Sequence, residues 1–130
     1  MASSRTSTGV GLGAGIFLLA LATAVIHLYL GLSFGNTLFV LNGLGYLGLL
    51  AALQLPIPQL ARFRPIARWA LVGYTTLTIV LYFIDNPGMT IGYVDKVIEA
   101  ALISLLLVDA YRARSEPSGE APKPRTTTLQ

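Results

Sequence analysis

The chain has no cysteine and a single histidine, His27. The missing thiol excludes disulfides, thiolate nucleophiles and Cys-based metal sites, and it leaves the redox compartment open. One histidine rules out bis-histidine haem ligation within a monomer, and no metal-ligand spacing of the HExxH kind is present. Charge is scarce as well. Asp, Glu, Lys and Arg make up 12% of the residues, where a soluble domain carries about 25%. No glycine-rich phosphate loop can be read, because the glycines lie inside apolar runs rather than between a strand and a helix. No serine stands beside a histidine and an acid in sequence, so nothing specific argues for an enzyme.

What remains is apolar. Hydrophobic residues form 54% of a chain of 130, a length that suits one domain. A soluble core of that size could not hide so much apolar surface, so lipid is the solvent expected for it. The net charge is +3, but the basic residues lie between the apolar segments or in the tails. They form no stripe along a helix, which argues against nucleic acid as a partner.

About 20 apolar residues cross the hydrocarbon core of a bilayer. Four segments qualify, at 9–32, 37–55, 66–84 and 91–111, and together they predict an all-α membrane four-helix bundle. The first exceeds the roughly 7–15 residues of a signal-peptide core and leads straight into another apolar segment, so it is expected to be a retained helix. Residues 1–8 form a short tail, 9–111 the transmembrane domain and 112–130 a tail rich in Pro, Ser and Thr whose composition predicts disorder. The connections carry helix-end chemistry. Asn36 suits an N-cap, Pro65 suits the start of the third helix, and Asp85-Asn86-Pro87-Gly88 is a turn signal. The stretch from Gln54 to Arg64, with Pro56 and Pro58, is expected to be an interfacial loop.

Lys and Arg placement sets the orientation. Arg5, Arg62, Arg64, Arg68, Arg112, Arg114, Lys123 and Arg125 fall in three regions that four spans put on one side, and the two opposite loops hold no basic residue. Both termini are therefore expected in the cytoplasm of a multi-pass cell-membrane protein. Trp69 near the inner end, and Tyr29, Tyr82 and Tyr93 near the outer ends, match the aromatic belts of membrane interfaces.

Helices in lipid associate through close backbone approach, which small residues permit. The first segment offers Gly9, Gly13, Gly11, Gly15, Ala20 and Ala24; the second offers Gly43, Gly45, Gly48, Ala51 and Ala52. Packing within one bundle is the expected use. His27 continues the stripe of Ala20, Thr23 and Ala24, so it should face the bundle interior.

Ionisable groups within a span are costly and face protein or water rather than lipid. Placed by depth, His27, Asn42, Tyr82, Asp85, Asp95, Lys96 and Glu99 all fall in the outer half of the membrane. Asp95 and Glu99 share a helix face that continues through Leu102 and Leu106 to Asp109. The candidate polar or ligand cluster is therefore His27, Asn42, Tyr82, Asp85, Asp95 and Glu99, with His27 and Glu99 its deepest ionisable members. A His–carboxylate pair can bind a metal, relay a proton, hold a polar substrate or simply fix helix register. His27 and Glu99 are the candidate metal ligands, and a pigment ligated by His27 is a further option, so the cofactor stays open. Lys96 is expected to snorkel to the surface, Asp85 to serve the turn, and Asn42 to make an interhelical hydrogen bond.

Three stretches carry a resemblance: His27-Leu28-Tyr29-Leu30-Gly31, the run from Leu41 to Gly48, and Gly92-Tyr93-Val94-Asp95-Lys96. They resemble small uncharacterised four-helix integral membrane proteins of archaea and bacteria. The resemblance implies the four-helix architecture and brings no activity, and the basic balance here departs from the acidic surfaces of halophilic members. The sequence thus ranks three functions. First is a non-enzymatic accessory or assembly subunit, or a small binding module, with the bilayer, other membrane subunits or a second copy as partners. An oligomeric transport or proton-relay protein using His27 and Glu99 follows, and an intramembrane enzyme is last.

Overall fold

The computed structural model describes residues 3–85 and 88–116, with side chains from Thr8 onward. It is all-helical among the described residues: α1 Ser3–Ser33, α2 Thr37–Gln54, α3 Pro58–Ala61, α4 Arg64–Asp85 and α5 Thr90–Ser115. Three of these are long and apolar enough to cross a membrane. They are α1 from Thr8 to Ser33 with mean hydropathy 2.2, α2 with 1.5 and α4 with 1.4. At 26 residues α5 has the length, but Asp95, Lys96 and Glu99 in its opening turns keep it out of that class on composition. It also runs through Arg112–Ser115, residues expected in the tail; the rest of that tail from 117 on lies outside the described residues, as do Asn86 and Pro87 of the turn.

The helix ends follow local chemistry. The Asn36 side chain accepts from the Leu38 and Phe39 amides at 3.0 and 3.4 Å, which satisfies donors that α2 cannot bond internally. The turn before it needs Gly35 at φ +62°, a left-handed backbone that favours glycine. The 54–64 connection is not all loop. Pro58 starts the single turn of α3, where a missing N–H costs nothing.

The four long helices form a closed ring in the order α1, α2, α4, α5, with contacts along each side of the ring. Neighbours run antiparallel, as paired residues show. Thr23 meets Asp95 while Gly15 meets Leu105, and Thr78 meets Glu99 while Arg68 meets Asp109. Close approach is built from glycine. A Cβ on Gly43 would stand 2.6 Å from Leu28 Cγ and 2.9 Å from the Ala24 carbonyl oxygen, so α1 and α2 touch at backbone distance there. The apolar core joins Ile16, Ala20 and Ala24 of α1, Tyr46 and Leu50 of α2, Ala67 and Leu71 of α4, and Leu102 and Leu106 of α5. On α5 the buried face runs Gly92, Asp95, Lys96, Glu99, Leu102, Leu106 and Ala110, a helical period in which charge occupies one half and leucine the other.

Candidate functional site

The charged half of that face lies toward the end of the bundle shared by the α1–α2 and α4–α5 turns. Asp95, Lys96 and Glu99 are 2%, 8% and 0% exposed, and His27 opposite them on α1 is 3% exposed. Four ionisable groups thus share one water-poor interior. Removing them from water is expensive, so each must be paired and hydrogen-bonded.

Lys96 supplies the pairing. Its ammonium lies 3.0 Å from Asp95 Oδ2 and contacts Glu99 Oε2, so it bridges both carboxylates. The tip stacks at 5.2 Å over the Tyr82 ring, a cation–π contact on its outer side. The expectation that Lys96 snorkels to the surface is therefore corrected. Two anions at i−1 and i+3 hold the ammonium more strongly than the distant interface does.

Hydroxyls from three helices complete the cluster. Thr23 Oγ1 on α1 donates to Asp95 Oδ1 over 2.7 Å. On the far side the Tyr46 hydroxyl of α2 donates to Glu99 Oε1 over 2.7 Å. Thr78 Oγ1 of α4 lies 2.8 Å from the same Glu99 oxygen and 2.8 Å from the Thr75 carbonyl; its one hydrogen serves one acceptor at a time. Each carboxylate oxygen of Glu99 consequently has a donor.

His27 is fixed by its own helix. Its Nδ1 lies 2.9 Å from the Thr23 carbonyl oxygen, which can only accept, so Nδ1 carries the hydrogen. Nε2 is the free nitrogen, and it points at Asp95 Oδ2 from 3.7 Å. The ring also packs against Tyr46 and Phe39 at centroid distances of 5.6 and 5.8 Å. With both carboxylates ionised and Lys96 charged, the quartet is neutral only when Nε2 also holds a proton, or when a positive group lies beside it.

His27, Asp95 and Glu99 could each offer one metal-ligand atom, all within 4.8 Å of one another. That spacing fits a divalent ion, but the same carboxylate oxygens are the ones Lys96 holds. The lysine acts as a tethered cation in the position a metal would take.

A cleft of about 620 Å³ opens between α2 and α4 at this end of the bundle. His27 and Asp95 form its ionisable floor, Phe39, Tyr74 and Tyr82 line it with aromatic rings, and Leu41, Leu77 and Leu81 form much of its apolar wall. Three further residues singled out from sequence sit on this cleft rather than in the charged quartet. Asn42 lines it and contributes its backbone carbonyl to the Tyr74 hydroxyl at 3.1 Å. Tyr82 reaches the Met89 carbonyl at 3.2 Å. Asp85 is exposed at the rim.

Thr23, Tyr46 and Thr78 were not among the candidates, although they carry most of the hydrogen bonds. A weak signal exists for Thr75 and Thr78, two hydroxyls one turn apart in an apolar span. Nothing in the Gly-rich run around Tyr46 points to Glu99. At the other end Arg68 Nε donates to Asp109 Oδ2 over 2.7 Å, joining α4 to α5. No known protein family matches this chain, and no curated protein or solved structure is detectably similar to it.

Proposed function

We propose that this protein is a four-span membrane protein with both termini in the cytoplasm. Its function is to bind a small amphipathic molecule in the outer half of the bilayer, without catalysis. The observation that carries the proposal is the cleft with an ionisable floor and an apolar, laterally open wall. Its volume lies within the roughly 300–1,000 Å³ of small-molecule sites. Asp95 and the rim Asp85 give it an acidic character, and its aromatic rings favour a cation. A hydrophobic amine fits best, its charged end toward His27 and Asp95 and its chain along Leu41, Leu77 and Leu81.

The fourth span is supported by the outward face of α5. Tyr93, Val94, Val97, Ala100, Ala101, Ser104, Leu107, Val108 and Tyr111 are exposed and uncharged, and Ser104 Oγ is satisfied by the Ala100 carbonyl at 2.9 Å. Lipid would meet an apolar surface, because every charge in the opening turns faces the bundle.

Proton relay is the second function this geometry suits. Polar contacts run from His27 through Thr23 to Asp95, across the Lys96 ammonium to Glu99, and on to Tyr46. What weighs against transport through one bundle is the next layer, where Ile16, Leu50, Leu71, Leu102 and Leu106 are buried together. In a single chain the relay stops at Tyr46.

Native mass spectrometry of protein extracted gently from its own membranes tests the binding proposal. A chain or homo-oligomer carrying a small amphipathic adduct is expected. A bare chain would overturn it, and a stable mass with other subunits would make the protein an accessory component instead.

A further inference from the structure

The basic end of the bundle holds a second, separate cavity of about 240 Å³. It is lined by Gly9 and Gly13 of α1, Gln54 of α2, Arg64 and Arg68 of α4 and Asp109 of α5. All four long helices thus contribute to it. Gln54 Nε2 donates to the Gly13 carbonyl at 2.8 Å, which ties α1 to α2 at its edge. A Cβ on Gly9 or Gly13 would meet nothing within 4 Å, so these glycines leave the space free rather than serving helix contact.

Its charge is unbalanced. Two guanidiniums face one carboxylate, and among the described residues Arg68 is engaged only through its Nε on Asp109 Oδ2. Arg64 donates one terminal nitrogen to the Leu55 carbonyl at 3.4 Å, while its Nε is buried with no partner among the described residues. Buried charged donors without an acceptor are rare, because they lose their hydration and gain nothing in return.

We infer that this cavity is a binding site for a phosphate-type anion, held by Arg64 and Arg68. A phosphate oxygen supplies the acceptor that Arg64 Nε lacks and neutralises the excess charge, and guanidinium suits the geometry of phosphate. A free phosphate and the headgroup of an anionic phospholipid share this chemistry. Basic pockets between membrane helices hold such headgroups. The site does not depend on the amine cleft, which lies at the opposite end.

The test uses the full chain in phosphatidylcholine nanodiscs with and without phosphatidylglycerol, read by native mass spectrometry, and a parallel titration in detergent with inorganic phosphate. One phosphatidylglycerol retained per chain identifies a lipid headgroup; phosphate binding that displaces it identifies the free anion, and both support the site. Arg64→Gln and Arg68→Gln should each weaken retention about tenfold or more, while Arg62→Gln does not. Gly13→Leu fills the cavity, keeps both arginines and should also abolish retention, which separates loss of the site from misfolding. Retention in Gly13→Leu and Arg64→Gln equal to that of the unaltered protein, or no retention of either anion, would overturn the inference.

Discussion

The Tyr46 hydroxyl donates to Glu99 Oε1 over 2.7 Å, joining α2 to α5 across the diagonal of a ring in which those two helices are not neighbours. The bond crosses the centre of the bundle at the level where charge gives way to leucine. Tyr46→Phe removes it while keeping the ring. Glu99 Oε1 then keeps Thr78 at 2.8 Å and the longer Thr23 contact at 3.4 Å, and a charged acceptor that loses its shortest partner costs about 1–3 kcal/mol. Unfolding in bicelles should show that loss with helix content unchanged. In a double-mutant cycle, Tyr46→Phe with Glu99→Gln should be less destabilising than the sum of the two. Strict additivity would mean the two residues do not interact.

Lys96→Met should be far more damaging, by about 3–5 kcal/mol, since it leaves two buried carboxylates without a cation. It should also create a metal site. His27, Asp95 and Glu99 keep ligand atoms within 4.8 Å of one another, and the position of the ammonium becomes free. Zinc is expected to raise the melting temperature of Lys96→Met and to leave the unaltered protein where it was. A zinc response in the unaltered protein would show that Lys96 does not occupy the site.

The glycines of α2 divide by role. Gly43→Ala drives a methyl against Leu28 and the Ala24 carbonyl, and backbone cannot yield as a side chain does. About 1–3 kcal/mol of stability should be lost. Gly48→Ala meets nothing within 4 Å and should be neutral or mildly stabilising, because alanine suits a helix better than glycine. Equal effects at both positions would remove the argument for close α1–α2 contact.

Much of this arrangement is legible in the sequence, and the limits are physical. Asn36 marks the start of α2 because its side chain needs only local amides. Asp95, Glu99, Leu102 and Leu106 share a face through helical periodicity alone, and His27 follows the small residues that let α1 approach its neighbours. Lys96 is different. Its long flexible side chain, even on the buried face, can fold inward or reach past the helix end, and only the enclosing helices decide it. Tyr46, Thr78 and the Arg68–Asp109 pair depend on contacts between helices, for which periodicity carries no signal.

Topology can be tested directly, since the chain has no cysteine of its own. Single cysteines at Thr127 and at the exposed Met89 should label from opposite sides. With four spans, Met89→Cys reacts with an impermeant maleimide on intact cells and Thr127→Cys only after permeabilisation. Labelling of both from the outside would contradict the proposed orientation.

The binding account is tested most directly with dodecylamine, added to the protein in phosphatidylcholine nanodiscs and followed by native mass spectrometry. The account predicts one amine retained per chain and weaker retention of dodecanol, which has the same chain without the charge. Leu81→Trp, which fills the cleft without touching the charged quartet, should abolish the adduct. Equal retention of amine and alcohol, or an adduct that survives Leu81→Trp, would contradict a cleft built to hold a hydrophobic amine above His27 and Asp95.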